Sequence, residues 1–340
     1  MKVGVLGASG YAGVELLRLC AAHPDFDVAV ATAGGGAGQR VAEHTPSLSG
    51  AYPDLEFSPA GIDGLDGLDL VFSALPHGQS QQFIADLDGR IGTFVDLAAD
   101  FRLTTAGAYA TWYGDEHQEP SYLDRFVYGL PELTRAELAG APLIAAAGCY
   151  PTAATIALAP LVSAGLVERD RIVVDAASGI SGAGRGTSEH LQFGQVDENF
   201  TAYGLLNHRH TAEIEQNLGV SALFTPHLAP MVRGILATCY ARPASATTLP
   251  STDDALAVLH DAYDAETFIV VTADVPSTKA TAGSNCAHVT VRVDPRTGWV
   301  LALCAIDNLV KGAAGQAIQC ANLSLGLKES TGLPIAGMWP

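Results

Sequence analysis

The chain has 340 residues, 18 Lys and Arg against 36 Asp and Glu, and a formal net charge of −18 at pH 7. An acidic excess in both halves with no basic tail excludes a nucleic-acid binder, because a polyanion attracts basic surfaces. A hydrophobic content of 48% with only 16% charged residues excludes disorder as the main state, and roughly 100–200 residues per domain predicts about two domains.

Residues 2–6 read as a buried strand that runs into a glycine loop, Gly7-Ala-Ser-Gly10-Tyr-Ala-Gly13. Residues 14–22 then set Val14, Leu16, Leu17 and Leu19 mostly on one helical face. Further buried strands are predicted at 28–32, 69–74, 93–97 and 143–147, with helical or loop segments such as 80–87 between them, a spacing that implies parallel βαβ units. Residues 138–167 carry no charge, but Pro142, Gly148, Pro151 and Pro160 interrupt any membrane-spanning helix, so this stretch is expected in the core. Beyond residue 150 strands are predicted at 171–177, 234–242, 268–272, 288–293 and 299–306. Helices are predicted at 252–264 and 312–327. Strands with few helices between them predict an α+β second domain with a mixed or antiparallel sheet.

Six cysteines, at 20, 149, 239, 286, 304 and 320, show no paired spacing. That argues against a disulfide or zinc framework and for a reducing cytoplasm. No secretory leader is expected, since Gly7, Ser9 and Gly10 break the first apolar run too early.

The glycine loop lies where a dinucleotide-binding turn belongs, between first strand and first helix. A pyrophosphate takes hydrogen bonds from backbone N–H groups at a helix N-terminus when no side chain blocks the approach. The spacing is GxxGxxG, one residue off the usual fingerprint, so structural glycines in a tight turn are the competing explanation. No acid follows where one would hold the ribose 2′-hydroxyl of NAD; the segment carries Arg40 instead, which favours the 2′-phosphate of NADP. A solvated surface charge is the alternative for Arg40.

Cys149 stands where an apolar run ends and an Ala-rich helix begins, with Pro151 suited to the first helical position. The positive end of a helix lowers a thiol pKa, which makes Cys149 the nucleophile candidate; the other five cysteines read as small buried apolar residues. Asn207-His208-Arg209-His210-Thr-Ala-Glu213 is the densest polar cluster and supplies a base. The same residues also read as a helix opening at Thr211, or less well as a metal pair lacking further ligands; no metal site is expected.

Together with the glycine loop, six more segments carry a resemblance: Leu97-Ala-Ala-Asp-Phe-Arg102, Tyr128-Gly-Leu-Pro-Glu132, Gly148-Cys-Tyr-Pro-Thr152, Ser178-Gly-Ile-Ser-Gly-Ala-Gly-Arg185, His208-Arg-His-Thr-Ala-Glu213 and Asn308-Leu-Val-Lys-Gly-Ala-Ala-Gly-Gln316. In this order, across nearly the whole chain, they resemble the N-acetyl-gamma-glutamyl-phosphate reductase family, within the broader aspartate-semialdehyde dehydrogenase-like group. The resemblance implies an α/β Rossmann-like NADP-binding domain with a mostly parallel sheet over residues 1–148, completed by a C-terminal helix within 312–340, and a catalytic and oligomerisation domain over 149–311. It implies NADPH-dependent reduction of an acyl phosphate to an aldehyde in arginine biosynthesis, by a homodimer or homotetramer with no nucleic-acid or membrane partner.

By the same resemblance Cys149 is the nucleophile and His208 the acid/base, with Arg102, His210, Arg185 and Glu213 toward the substrate. Gly7, Ser9, Gly10, Tyr11, Ala12, Gly13, Arg40, Pro76, Ser181, Gly182, Asn308 and Lys311 fall to the cofactor. Thr211-Ala212 stands where the family often has a proline before the glutamate, and Asn207 where a small residue is common; the choice between His208 and His210 as acid/base stays open. Rival expectations are the same chemistry on aspartyl phosphate or a carrier-bound aminoadipyl phosphate, a non-catalytic NADP sensor that has no use for Cys149, and a Cys-His hydrolase.

Overall fold

A computed structural model describes residues 1–244 and 249–339, with the His190 side chain also outside the description; Pro340, the last residue of the expected C-terminal segment, is not described. In chain order the strands are β1 (Lys2–Leu6), β2 (Asp27–Ala31), β3 (Leu70–Ser73), β4 (Thr93–Asp96), β5 (Val127–Gly129), β6 (Leu143–Ala146), β7 (Val167–Gly179), β8 (Thr201–Ala202), β9 (Ala222–Ala229), β10 (Ile235–Pro243), β11 (Ile269–Val271), β12 (Ala287–Val293) and β13 (Val300–Ile306). The helices used below are α1 (Tyr11–Ala22), α2 (Cys149–Ser163), α3 (His210–Leu218), α4 (Thr252–Tyr263) and α5 (Gly315–Ser324).

The chain divides into two compact units. One comprises Met1–Ala147 and Ala313–Leu333, the other Gly148–Gly312 and the segment from Pro334 onward.

In the first unit the strands form a parallel sheet in the order β2-β1-β3-β4-β6-β5. β3, β4 and β6 are buried along their whole length, the pattern of a sheet covered on both faces. The chain runs from β1 to β2 on one side and then crosses to β3 on the other, so the turn after β1 lies at a topological switch point, where α/β sheets bind ligands. This is the expected Rossmann-like sheet. Buried α5 packs on β4 and β6. The predicted 312–327 helix differs at both ends: residues Val310–Ala314 wind as a π-helix and the α-helix ends at Ser324.

At the end of β4 and four residues beyond it lie two carboxyl groups with no exposed surface, Asp96 and Asp100. Asp96 accepts from the Ala98 and Asp100 amides at 3.0 and 3.2 Å, and Asp100 accepts from the Gly78 and Gln81 amides. Burial pushes both above the usual carboxylate range, Asp96 further so because Asp100 lies beside it.

The second unit holds a seven-stranded mixed sheet, β11-β12-β13-β10-β7-β9-β8, with β7–β9 and β11–β12 parallel and the other pairs antiparallel. One face carries Ile172, Val174, Ala176, Ala237, Cys239, Ala302 and Cys304 into a core closed by α2, α3 and α4. Alternation leaves Val173, Leu236, Tyr240, Leu301 and Leu303 half-buried on the other face. The C-terminal segment is tied back into this unit by Asn285 N–H donating to Pro334 O and Met338 N–H donating to Ala282 O. Among the described residues no helix is long and apolar enough to cross a membrane.

Candidate active site

The glycine loop is built by backbone necessity. Gly7 has φ +72°, and a Cβ there would lie 2.6 Å from Ala74 O; a Cβ on Gly13 would collide with Gly7 O and lie 2.6 Å from Ala8 Cα. Thr32, just past β2, fixes the turn: its hydroxyl accepts from Gly7 N–H at 3.3 Å and its carbonyl from Ala8 N–H at 2.8 Å. Sequence reasoning missed Thr32, because nothing in its local pattern ties it to residues 25 positions earlier.

Gly10 caps α1 with no side-chain cap, no acid stands in the first turn, and nothing crowds a Cβ there more closely than Gly7 O at 3.5 Å. The first-turn amides of a helix lack intrahelical acceptors and carry the positive end of its dipole. The amides of Tyr11, Ala12 and Gly13 thus form a cradle open to an anion, flanked by Ser9 and by Gly10, whose own N–H donates to Gly7 O at 3.1 Å, an arrangement that fits a dinucleotide pyrophosphate. Arg40 is exposed at the N-cap of a short helix, Val41–His44, and no hydrogen bond or ion pair engages its side chain among the described residues. Pro76 is exposed in the loop after β3. Arg102 is buried in the first unit, donating from Nε to Ala146 O at 2.7 Å and from Nη2 to Leu97 O at 3.0 Å.

In the second unit Cys149 is itself the first residue of α2. Gly148 is the N-cap in extended conformation, so Pro151 takes the third helical position and not the first as expected; a missing N–H is harmless at either, since neither has an intrahelical acceptor. Cys149 is half-buried while the other five cysteines are buried. Burial pushes the Cys20 thiol up to about 12 and raises Cys239 and Cys286 as well.

Two contacts fix the Cys149 backbone. Glu213, 1% exposed on α3, accepts from the Gly148 amide at 2.7 Å. That bond commits one of its carboxylate oxygens to positioning the nucleophile's N-cap. On another side Gly312, in the π-helix, lies so close that a Cβ on it would stand 2.8 Å from Cys149 Cβ. π-Helical turns are often found at functional sites.

The next residue, Tyr150, reaches the histidines. Its ring meets His208 at 5.7 Å and His210 at 5.9 Å between centroids, while Tyr203 and Phe224 meet His208 at 5.4 and 5.3 Å. Tyr203 donates to the Tyr150 hydroxyl at 3.0 Å and Tyr150 donates to His227 O at 3.2 Å. Burial, then the Arg209 charge, lower His208 to about 4, which leaves it neutral at pH 7. α3 opens at His210, one residue before the expected Thr211, and without a side-chain cap.

Ser181, Gly182 and Asn308 also come together: Asn308 Nδ2 donates to Ser181 Oγ at 2.9 Å, its Oδ1 accepts from Gly234 N–H at 2.7 Å, and a Cβ on Gly182 would meet Ser178 Oγ at 2.8 Å. Lys311 is fully buried, with Nζ 5.9 Å from the Phe268 ring centroid. Arg185 is exposed on the loop after Gly184. Among the described residues no group of three or more His, Cys, Asp or Glu is placed to hold a metal ion.

A parallel switch-point sheet with an anion cradle, followed by a mixed-sheet unit with a helix-capped thiol, defines a dinucleotide-dependent oxidoreductase of the semialdehyde dehydrogenase class. Residues 2–141 match the family model described as the semialdehyde dehydrogenase NAD binding domain, and residues 149–308 the one described as its dimerisation domain. Solved structures of similar fold include aspartate semialdehyde dehydrogenase II from Vibrio cholerae (TM-score 0.71, 17% identity, 96% of this chain and 98% of that one) and the Candida albicans enzyme with NADP (TM-score 0.67, 17% identity, 95% and 97%). Sequence relatives are nearer. N-acetyl-gamma-glutamyl-phosphate reductases from Desulforudis audaxviator and Pseudomonas aeruginosa are 46% and 42% identical over the full length of both chains. The chain belongs to the N-acetyl-gamma-glutamyl-phosphate reductase family.

Proposed function

We propose that this protein reduces N-acetyl-L-glutamyl 5-phosphate to N-acetyl-L-glutamate 5-semialdehyde with NADPH, releasing phosphate through a thioester on Cys149, as a step of arginine biosynthesis. The observation that carries the reading is a half-buried thiol at the first position of α2, its N-cap held by Glu213 and its neighbour Tyr150 packed on two imidazoles, in a chain similar end to end to reductases of that name.

The positive end of α2 favours the Cys149 thiolate, which attacks the acyl carbon; phosphate is a good leaving group, so a thioester remains. NADPH, when bound, supplies the hydride that takes the thioester to the aldehyde. Gly7, Ser9, Gly10, Tyr11, Ala12 and Gly13 would hold its pyrophosphate and Arg40 its 2′-phosphate, with Pro76, Ser181, Gly182, Asn308 and Lys311 as further cofactor contacts. His208 is the group for the substrate oxygen, His210 stands beside it, and Arg102 and Arg185 are the cations for carboxylate and phosphate. Residues 1–148 with the helix within 312–340 serve as the nucleotide domain and 149–311 as the catalytic one.

Homo-oligomerisation through the open face of the mixed sheet completes the reading. Val173, Tyr240 and Leu301 stand in one cross-strand row and Asp175, Thr238 and Leu303 in the next, a broad half-apolar surface in the segment matched by the dimerisation model.

The test is phosphate-dependent oxidation of N-acetylglutamate semialdehyde with NADP, run beside aspartate semialdehyde. Cys149→Ser is expected to bind NADPH and to lose turnover by several orders of magnitude, since a neutral hydroxyl is a poor nucleophile. Near-normal turnover in that variant would end the covalent mechanism.

A further inference from the structure

Asp307, the first residue past β13, has no exposed surface, and every hydrogen-bond partner of its carboxylate is a donor. Oδ1 accepts from the Leu309 and Val310 amides at 2.8 and 3.0 Å, and Oδ2 accepts from the Gly283 amide at 2.7 Å. Arg233 Nη1 lies beside both oxygens, 3.4 Å from Oδ2 and 3.5 Å from Oδ1. The main-chain carbonyl of the same residue accepts from Gly312 N–H at 2.9 Å, the five-residue bond of a π turn. A buried carboxylate is costly unless it is paired and hydrogen-bonded. Here the donors that satisfy it also fix the path of residues 307–312.

That path delivers two groups. Gly312 arrives so close to α2 that a Cβ on it would stand 2.8 Å from Cβ and 3.3 Å from Cα of Cys149, so the backbone of residue 312 is the wall against which the nucleophile sits. Asn308 arrives with Oδ1 on the Gly234 amide and Nδ2 on Ser181 Oγ. The opposite side of the clamp is equally fixed. Gly283 has φ +77°, and a Cβ there would meet Met338 Cε at 2.7 Å, which leaves glycine as the residue that fits. The C-terminal segment straps its neighbours, with Asn285 N–H on Pro334 O at 2.8 Å and Met338 N–H on Ala282 O at 2.7 Å.

Resting on the thioester reading above, we infer that Asp307 is a positioning residue for the reaction: its carboxylate clamps the 307–312 turn to Gly283 and so holds Gly312 as the wall behind Cys149. A carboxylate suits this task where an amide of the same shape does not. Both of its oxygens accept, one toward the turn and one toward Gly283, whereas asparagine has a single acceptor oxygen and an NH2 group that can only donate. Whichever way that amide faces, its NH2 group meets backbone N–H donors, and one side of the clamp opens.

Asp307→Asn separates placement from folding. It is expected to lower kcat about 10–10²-fold with little change in KM, since a misplacement of about 1 Å at a reacting group costs on the order of 10²-fold. Alkylation of Cys149 by iodoacetamide needs a thiolate and access but no alignment, so it is expected not to slow. Wild-type kcat, or losses of kcat and alkylation in equal proportion, overturn the inference, because partial unfolding lowers both together. A double-mutant cycle with Gly312 tests the link itself. Gly312→Ala alone is expected to lower kcat about 10²-fold; with Asp307→Asn beside it the turn can yield, and the same substitution is expected to cost less than about tenfold. Equal costs in the two backgrounds overturn the inference. Should the asparagine variant not fold, Asp307→Ser, whose hydroxyl can still cap the Leu309 and Val310 amides, is read by the same two comparisons. Near-normal turnover in Cys149→Ser is a separate result: it ends the thioester reading and removes the step that Asp307 is inferred to serve.

Discussion

Replacing Gly312 by alanine puts a carbon atom 2.8 Å from Cβ and 3.3 Å from Cα of Cys149. Carbon atoms in contact sit about 3.5–4.0 Å apart, so one side has to retreat by about 1 Å. The turn bearing Gly312 is tied by its own N–H to Asp307 O at 2.9 Å, and the Asp307 carboxylate is itself held by the Gly283, Leu309 and Val310 amides at 2.7, 2.8 and 3.0 Å. Opposite it, Cys149 Cα belongs to the first turn of α2, whose N-cap is held by buried Glu213. With both backbones anchored, the strain is shared between them and the sulfur moves. Overpacking of this kind costs about 1–3 kcal/mol, and a misplacement of about 1 Å at a reacting group costs on the order of 10²-fold in rate. Gly312→Ala is therefore expected to lower kcat about 10²-fold and to lower Tm by several degrees, with NADPH affinity retained. Steady-state kinetics, the alkylation rate of Cys149 and a thermal melt read the three quantities. A folded alanine enzyme with wild-type kcat and wild-type alkylation would refute the claim that residue 312 sets the position of the thiol.

Arg40→Ser is expected to weaken NADP about tenfold, the lower end for a charge-assisted contact at an exposed site, and to leave NAD unchanged; titration of both coenzymes by fluorescence checks it. Asp96→Asn tests the buried carboxyl pair. The Asp96 pKa is raised on folding, so the native state binds its proton more tightly than the unfolded chain, and stability is present at low pH and lost as pH rises from the ordinary aspartate range through the folded value. Asparagine removes the titration, so the variant should melt higher than wild type at pH 8 and lose that advantage at pH 4; an unchanged difference between the two conditions would show that Asp96 is not the group responsible.

Much of the fold is legible in residue patterns, for reasons that also explain what is not. The mostly apolar runs that become β3, β4 and β6 announce a covered parallel sheet, and the alternation in β12 announces a sheet with one open face. β9 was not expected. Pro226 lies in its middle, and a proline in a central strand argues against the assignment, yet β9 pairs with both β7 and β8. Cys149 is readable because a glycine, a thiol and a helix start are adjacent in the chain. Its setting is not: Tyr203, Phe224, Glu213 and Gly312 reach it or its neighbours only through tertiary packing, across sequence separations over which residue spacing carries no signal. Arg102 shows the same limit: nothing in its local sequence signals that its Nε and Nη2 groups are held by the Ala146 and Leu97 carbonyls.

The interleaved path of the polypeptide bears on how this protein is made. α5 covers β4 and β6 but is translated after every strand of the mixed sheet. On the ribosome the nucleotide-type sheet waits, one flank uncovered, until its last twenty-odd residues emerge, while the later-encoded unit already has most of its strands. Vectorial synthesis usually lets the leading domain finish first; here the leading unit stays open until every strand of the following one has been made, and its bare apolar flank is the aggregation-prone surface of the nascent chain.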